Sequence, residues 1–111
     1  MAPPTALAIK TSAVMRLIKE ESMYHKELVL EKNRLAKMEA DGESDEYAIK
    51  QQTKVVEETK GVVPALREKL LAAVEVLEGQ LDAAADVEPE ANKGKARKAI
   101  EDGRKTLVAD L

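Results

Sequence analysis

The sequence contains no cysteine, no phenylalanine and no tryptophan, and it has a single histidine. Without cysteine the chain can form neither a disulfide nor a reactive thiolate, so it is compatible with a reducing compartment. The one histidine, His25, has only Glu21 one turn before it, and one imidazole with one carboxylate does not make a metal site. We therefore expect no metal, no cofactor and no thiol chemistry.

Patterns typical of catalysis and of nucleic-acid binding are missing too. The five glycines are scattered, and none stands in a phosphate-binding loop. Glu20-Glu21 and Glu57-Glu58 are adjacent pairs that point about 100° apart on a helix, which suits solvated faces better than acid/base catalysis. The basic run from Lys93 to Lys98 has no aromatic residue beside it, and the net charge is −3. These absences argue against an enzyme and against a nucleic-acid partner.

Membrane-directed segments are also not found. No stretch approaches the roughly 18 apolar residues of a membrane-spanning helix, and the N-terminus lacks the charged and apolar regions of a signal peptide. The last helix mixes both charge signs on its polar face, which disfavours an amphipathic membrane helix. We expect a soluble cytoplasmic protein with no membrane partner.

The strongest positive signal is a heptad repeat in the middle of the chain. Charged residues make up 35% of the sequence, a composition typical of long helices when Ala, Glu, Lys and Leu are abundant. Ile49, Val56, Val63, Leu70 and Leu77 recur at seven-residue intervals. A proline inside a helix costs about 3 kcal/mol. Because the repeat continues through the proline at position 64, we predict one helix over about residues 45–85, kinked at that proline.

Two further helices flank this one. The first is predicted over about residues 12–41, capped by Thr11 or Ser12 and ended by Gly42. The third is predicted over about residues 90–110, and residues 1–7 are predicted to be a flexible arm. Ser44 can cap the middle helix. The apolar seam of the first helix consists of Val14, Leu17, Tyr24, Leu28, Leu35 and Met38. Glu21 and Glu31 place charged side chains in that seam, and Gln52 and Thr59 place polar side chains in the seam of the middle helix.

These helices predict an all-α fold, an antiparallel three-helix bundle of up-down-up topology with coiled-coil-like packing. The short turn after Gly42 makes the first two helices a hairpin in which facing residue numbers sum to about 86. Tyr24 should therefore face Val62 and Val63. The third helix should reach back only to about Pro64. Beyond it, from about Tyr24 to Lys54, the hairpin should project by roughly 25 Å with a poorly buried seam.

The chain resembles the tubulin-binding cofactor A family, also called tubulin-specific chaperone A. The matching residues are Ile9-Lys10-Thr11, Val14, Arg16-Leu17, Lys19-Glu20, Tyr24, Lys26-Glu27, Met38, Gly42, Tyr47, Ile49-Lys50, Gln52, Glu58 and Pro64. Their order and spacing cover about residues 9–81. Where the family has two bulky residues before an Ile-Pro pair and Asp-Cys after it, this chain reads Gly61-Val62-Val63-Pro64-Ala65-Leu66.

The resemblance implies a non-catalytic folding cofactor. Such a protein captures quasi-native β-tubulin after the cytosolic chaperonin and passes it to other tubulin-folding cofactors for α/β heterodimer assembly, in a cytoskeleton-associated role. It implies β-tubulin as the partner and no bound cofactor. Residues that match the family pattern and mostly lie off the predicted seams are candidate contacts: Arg16, Lys19, Glu20, Lys26, Glu27, Lys50, Gln51, Glu58 and Lys60.

The main alternative is a structural helical adaptor or a coiled-coil protein that associates with itself. Apolar residues off the seam, such as Met15, Ile18, Val29 and Leu30, could form an antiparallel homodimer along the projecting hairpin. Both a monomer and a weak homodimer are compatible with the sequence.

Overall fold

The structure, a computed structural model, describes residues 3–42 and 44–110, and this part of the chain folds into three α-helices. The helices are α1 (Ala6–Asp41), α2 (Glu46–Asp82) and α3 (Glu90–Val108). They form an elongated bundle of 64 × 24 × 19 Å. The prediction of an all-α three-helix bundle is confirmed. Met1, Ala2, Glu43 and Leu111 lie outside the described residues.

The first helix begins earlier than the sequence indicated. Thr5 caps it in an extended conformation, and its hydroxyl oxygen accepts the Ala8 amide hydrogen at 3.2 Å. The predicted start near residue 12 is wrong, because Leu7 stands one heptad before Val14 and is buried with it. Thr11 caps nothing; its hydroxyl donates to the Leu7 carbonyl within the helix, at 2.8 Å. The predicted flexible arm over residues 1–7 is therefore helical from Ala6 onward.

The helix ends follow the expected chemistry, but the cap of α2 and the last residues of α2 and α3 differ from the predicted ones. Gly42 ends α1 with φ of 66°, the left-handed conformation that glycine tolerates. Asp45, not Ser44, caps α2: its carboxylate accepts the Ala48 amide hydrogen at 2.7 Å. The middle helix ends at Asp82 and the third at Val108, each a few residues before the predicted ends near 85 and 110.

The middle helix passes through Pro64 without interruption. Pro64 is exposed, so its ring adds no bulk to the core, while its neighbour Val63 is fully buried. The heptad repeat thus keeps its phase across the proline, as the prediction of one helix required. The kink that we predicted at this point stays a prediction.

The main core lies at the end of the bundle where all three helices pack together. Its buried members are Leu7, Val14, Leu70, Val74, Leu77, Ala96 and Ala99. Gly103 of α3 lies against Val14, Ile18 and Val74, and the five residues from there to Val108 add roughly 7 Å at 1.5 Å per residue. The third helix therefore ends near the level of Met23 on α1. Beyond that level the described residues form a hairpin of α1 and α2 alone.

The projecting hairpin is better buried near its base than we predicted. Leu28 and Val63 are fully buried between α1 and α2, although no third helix covers this level. Leu35, Met38 and Ile49, nearer the turn, are only half-buried. The poorly buried seam is thus confined to the end close to Gly42.

Replacing Gly103 with alanine is expected to loosen the attachment of α3. A Cβ at this position would lie 2.7 Å from Cγ2 of the fully buried Val74. Overpacking of this kind costs about 1–3 kcal/mol. The matched control is Gly61→Ala, where a Cβ would meet nothing within 4 Å. Alanine should stabilise that helix position by about 0.5–1 kcal/mol. Urea unfolding followed by circular dichroism compares the two, and equal midpoints would contradict this description of the contact.

Candidate functional site

All nine candidate contact residues lie on the surface of the bundle. Eight of them are exposed, and Glu20 is half-exposed and forms an ion pair of 4.0 Å with Arg16. None of them belongs to the buried core. Their arrangement around the hairpin, however, does not form one surface.

The four lysines lie on the side of the hairpin that α3 occupies, which we call the α3 side. Lys60 stands two heptads before Val74, and Val74 contacts Gly103 of α3. Lys50 stands four heptads before Glu78, which pairs with Arg104 of α3. Residues seven apart share a face in a helix that keeps a heptad repeat, as α2 does from Val56 to Leu77.

The lysines of α1 lie on its outer face, at the edge of the same side. Lys19 follows Met15 by one turn, and Met15 lines the groove between α1 and α3 together with Lys98 and Ala99. Lys26 follows Lys19 by one heptad. Since α3 ends near the level of Met23, Lys26, Lys50 and Lys60 extend the α3 side into the part of the hairpin that α3 does not cover.

The remaining polar candidates lie on the opposite side, which we call the open side. Ala13, Ala72 and Val76 line a groove there between α1 and α2 that no described residue of α3 borders. Glu20 and Glu27 follow Ala13 by one and two heptads, and both line a depression with Met23 and Tyr24. Gln51 and Glu58 precede Ala72 by three and two heptads. Among the nine candidates, the lysines thus lie toward the α3 side and the glutamates lie on the open side.

Arg16 stands apart from both groups, on the outer ridge of α1. Met23 and Leu30 follow it at seven-residue intervals, and both are strongly exposed. This ridge borders the open side, because Met23 lines the same depression as Glu20 and Glu27. Met23 and Leu30 therefore place exposed apolar side chains near the carboxylates of Glu20 and Glu27.

Three polar side chains inside the hairpin pair with one another, which sequence reasoning missed. Glu31 interrupts the seam of α1, and Gln52 and Thr59 thin the seam of α2. In the structure Thr59 donates to the Glu31 carboxylate at 2.9 Å, and Gln52 donates to the Glu31 carbonyl at 3.0 Å. The available signal was that these three exceptions to the apolar seam face one another in the predicted register.

A second polar contact lies where α3 ends. The Arg67 guanidinium donates to the Glu21 carboxylate at 3.2 Å, and His25 Nδ1 lies 3.9 Å from the same oxygen. The Glu21 side chain is only 6% exposed and that of Arg67 only 19%. Breaking a buried pair by removing one partner is strongly destabilising. This contact therefore ties α1 to α2 in one register at the base of the projecting hairpin.

The third helix carries its charges on its solvent-facing side. Arg97 pairs with Glu90, and Lys105 with Glu101. A hydrogen bond from Lys98 to Asp102, at 2.9 Å, raises the pKa of Lys98. Glu78 and Arg104 join α3 to α2 across the α3 side.

The described residues contain no group of three or more potential metal ligands. None of the helices in residues 3–42 and 44–110 is long and apolar enough to cross a membrane. What the molecule does present is an elongated, charged helical surface with exposed apolar side chains. Such a surface can bind another protein through shape and charge complementarity.

Comparisons with known proteins give a consistent result. A family model described as tubulin binding cofactor A matches residues 2–100. Tubulin-specific chaperone A of Mus musculus is 37% identical over 100 residues, covering 89% of this chain and 90% of that protein. Tubulin-folding cofactor A of Arabidopsis thaliana is 36% identical over 111 residues, covering 100% of this chain and 92% of that protein.

The solved structures agree with the sequences. A β-tubulin binding post-chaperonin cofactor superposes with a TM-score of 0.86 and 35% identity, covering 95% of this chain and 100% of that one. The fold is that of a helical bundle, and the relatives that share it are named as tubulin chaperones and folding cofactors. The chain belongs to the tubulin-binding cofactor A family.

Proposed function

We propose that this protein is a non-catalytic tubulin-folding cofactor that captures quasi-native β-tubulin after its release from the cytosolic chaperonin. It stabilises the subunit and hands it to other tubulin-folding cofactors for α/β heterodimer assembly. The observation that carries this proposal is the likeness to a solved β-tubulin binding post-chaperonin cofactor, which covers 100% of that chain. Its place of action is the cytoplasm, in association with the cytoskeleton.

The mechanism is stabilisation by binding. A protein that binds one conformation of a client and not its unfolded chain shifts the client toward the bound form by mass action. The bundle is 64 Å long, so it can cover a large client surface without any chemical step. The nine surface candidates, which occupy two sides of the hairpin and the ridge beside them, are the proposed pool of client contacts.

The experiment that tests this function is retention of tubulin from a refolding mixture. The chain is immobilised, the mixture is released from denaturant, and α- and β-tubulin are quantified separately. Retention of β-tubulin with little α-tubulin supports the proposal. Retention of neither subunit by a chain shown to be helical would refute it and favour the helical-adaptor alternative.

A further inference from the structure

The hairpin of α1 and α2 has two sides, and α3 packs against only one of them, while the other has two depressions along its length. On the α3 side, Gly103 allows α3 to approach Val14, Ile18 and Val74 closely. On the open side one of the two depressions is lined by Ala13, Ala72 and Val76. We call this depression, with its continuation toward the turn, the open groove.

A row of valines runs along the open groove on α2. Val55, Val62 and Val76 share one heptad position, which Lys69 occupies between the last two, and the valines are 38%, 39% and 47% exposed. Ala65 stands one heptad before Ala72 on the same side, and its small, exposed side chain leaves the groove shallow at that level. A row of exposed apolar residues at this spacing is the pattern of a face that packs against another helix.

Carboxylates outnumber basic residues on the rim of the open groove in the half nearer the turn, where Arg34 follows Glu27 by one heptad. Glu27 and Glu58 are exposed, and Glu20 is half-exposed. Tyr24 lies between Glu20 and Glu27 in the same depression. The predicted register, which the contacts of Glu31 with α2 support, places Tyr24 level with Val62. Apolar side chains thus lie in the middle of this half of the groove, with carboxylates on both edges.

From this arrangement we propose, resting on the proposed function, that the open groove binds an amphipathic helix of the client. The apolar stripe of that helix packs on the valine row, and lysines or arginines beside the stripe face Glu20, Glu27 and Glu58. The helix occupies the open groove as α3 occupies the opposite one. The lysines of the α3 side are then not the main contacts.

Charge complementarity argues against a second copy of this chain as the occupant. A two-fold dimer places the same patch on both partners, so a patch with an excess of carboxylates would meet another patch with the same excess. Like charges in direct apposition disfavour the wrong partner. A client helix with basic flanks meets no such repulsion.

The test compares charge reversals on the two sides of the hairpin. Glu27→Lys/Glu58→Lys reverses the rim of the open groove. Glu39→Lys/Glu57→Lys makes the same change in net charge on the α3 side. Both residues lie on that side, because Glu39 stands three heptads after Ile18 and Glu57 stands three heptads before Glu78. Retention of β-tubulin from the refolding mixture is measured for both variants and for the unmodified chain, each shown to be helical.

The first variant is expected to lose β-tubulin binding at least tenfold, and the second to stay within twofold of the unmodified chain. The loss should shrink as salt is added, because exposed charges are screened. Equal losses in both variants, or a loss confined to the α3-side variant, would overturn the proposal. If the unmodified chain retains no β-tubulin, the proposed function itself fails, and this assignment fails with it.

A second pair of variants tests the apolar part of the groove. Val55→Ser/Val62→Ser should lower β-tubulin retention at every salt concentration, whereas Val29→Ser, at an exposed position two heptads after Met15 on the α3 side, should not. Unchanged retention by the double variant would contradict the proposed helix contact.

Sedimentation of the unmodified chain at two concentrations completes the test. A dimer of the 12.1 kDa chain that the double variant abolishes would show that a second copy occupies the groove and would overturn the proposal.

Discussion

Replacing Arg67 with methionine is expected to destabilise the protein by about 3 kcal/mol or more, because the buried Glu21 carboxylate loses its cationic partner. The Glu21 side chain is 6% exposed, so water cannot take the place of the guanidinium. Urea unfolding monitored by circular dichroism measures the change. A shift in the unfolding midpoint without a change in slope would show that the free energy of unfolding has changed and that the surface exposed on unfolding has not.

The double variant Glu21→Leu/Arg67→Met is the control for that result. Replacing a buried ion pair by apolar residues of similar size is often neutral or stabilising, because both desolvation costs disappear. We expect the double variant to recover most of the stability that Arg67→Met loses. A single variant that unfolds at the same urea concentration as the unmodified chain would contradict a structural role for this pair.

The second large effect is expected in the main core. Leu70 is fully buried where the three helices meet, and a Leu→Ala substitution at such a site costs about 2–5 kcal/mol through lost burial and the cavity left behind. Its neighbour Leu71 is 39% exposed and is not a member of the core, so Leu71→Ala should cost much less. Thermal unfolding of both variants gives the comparison. Equal melting temperatures would show that the heptad assignment of α2 is wrong.

The fold was predictable because the heptad repeat continues in phase through Pro64, a residue that could have ended the helix. Val56, Val63, Leu70 and Leu77 are all buried in the structure, on both sides of Pro64. The short turn after Gly42 then leaves an antiparallel hairpin as the simplest arrangement. The start of α1 was harder, because Thr5, Thr11 and Ser12 all fit the capping rule and only the burial of Leu7 decides between them.

The sequence predicted that the candidate residues are exposed to solvent, but it did not predict which of them lie on the same side of the hairpin. Position relative to the seam indicated that residues such as Lys26, Glu27 and Glu58 are exposed. Which side of the hairpin each one occupies depends on where α3 packs, and that choice follows from the close approach at Gly103. From sequence alone, a glycine in a helix indicates only a loss of helix propensity. The separation of lysines from glutamates therefore needed the structure.

The pairing of polar groups in the seam is a second feature that the sequence did not predict. Each of Glu21, Glu31 and Thr59 was noticed as an exception within its own helix. Pairing Glu31 with Thr59, and Glu21 with Arg67, requires the register to within one helical turn, and a short turn fixes it only approximately. Buried polar pairs of this type can specify register in helical bundles.

The function proposed for this chain is capture of β-tubulin by stoichiometric binding and not by catalysis. The most direct measurement is a titration of the chain into β-tubulin diluted from denaturant, with aggregation followed by light scattering. We expect scattering to fall in proportion to the chain added and to level off near one chain per β-tubulin, with no nucleotide required. Aggregation that continues unchanged with the folded chain in excess would contradict the claim, and full suppression at a small fraction of the β-tubulin concentration would contradict stoichiometric binding.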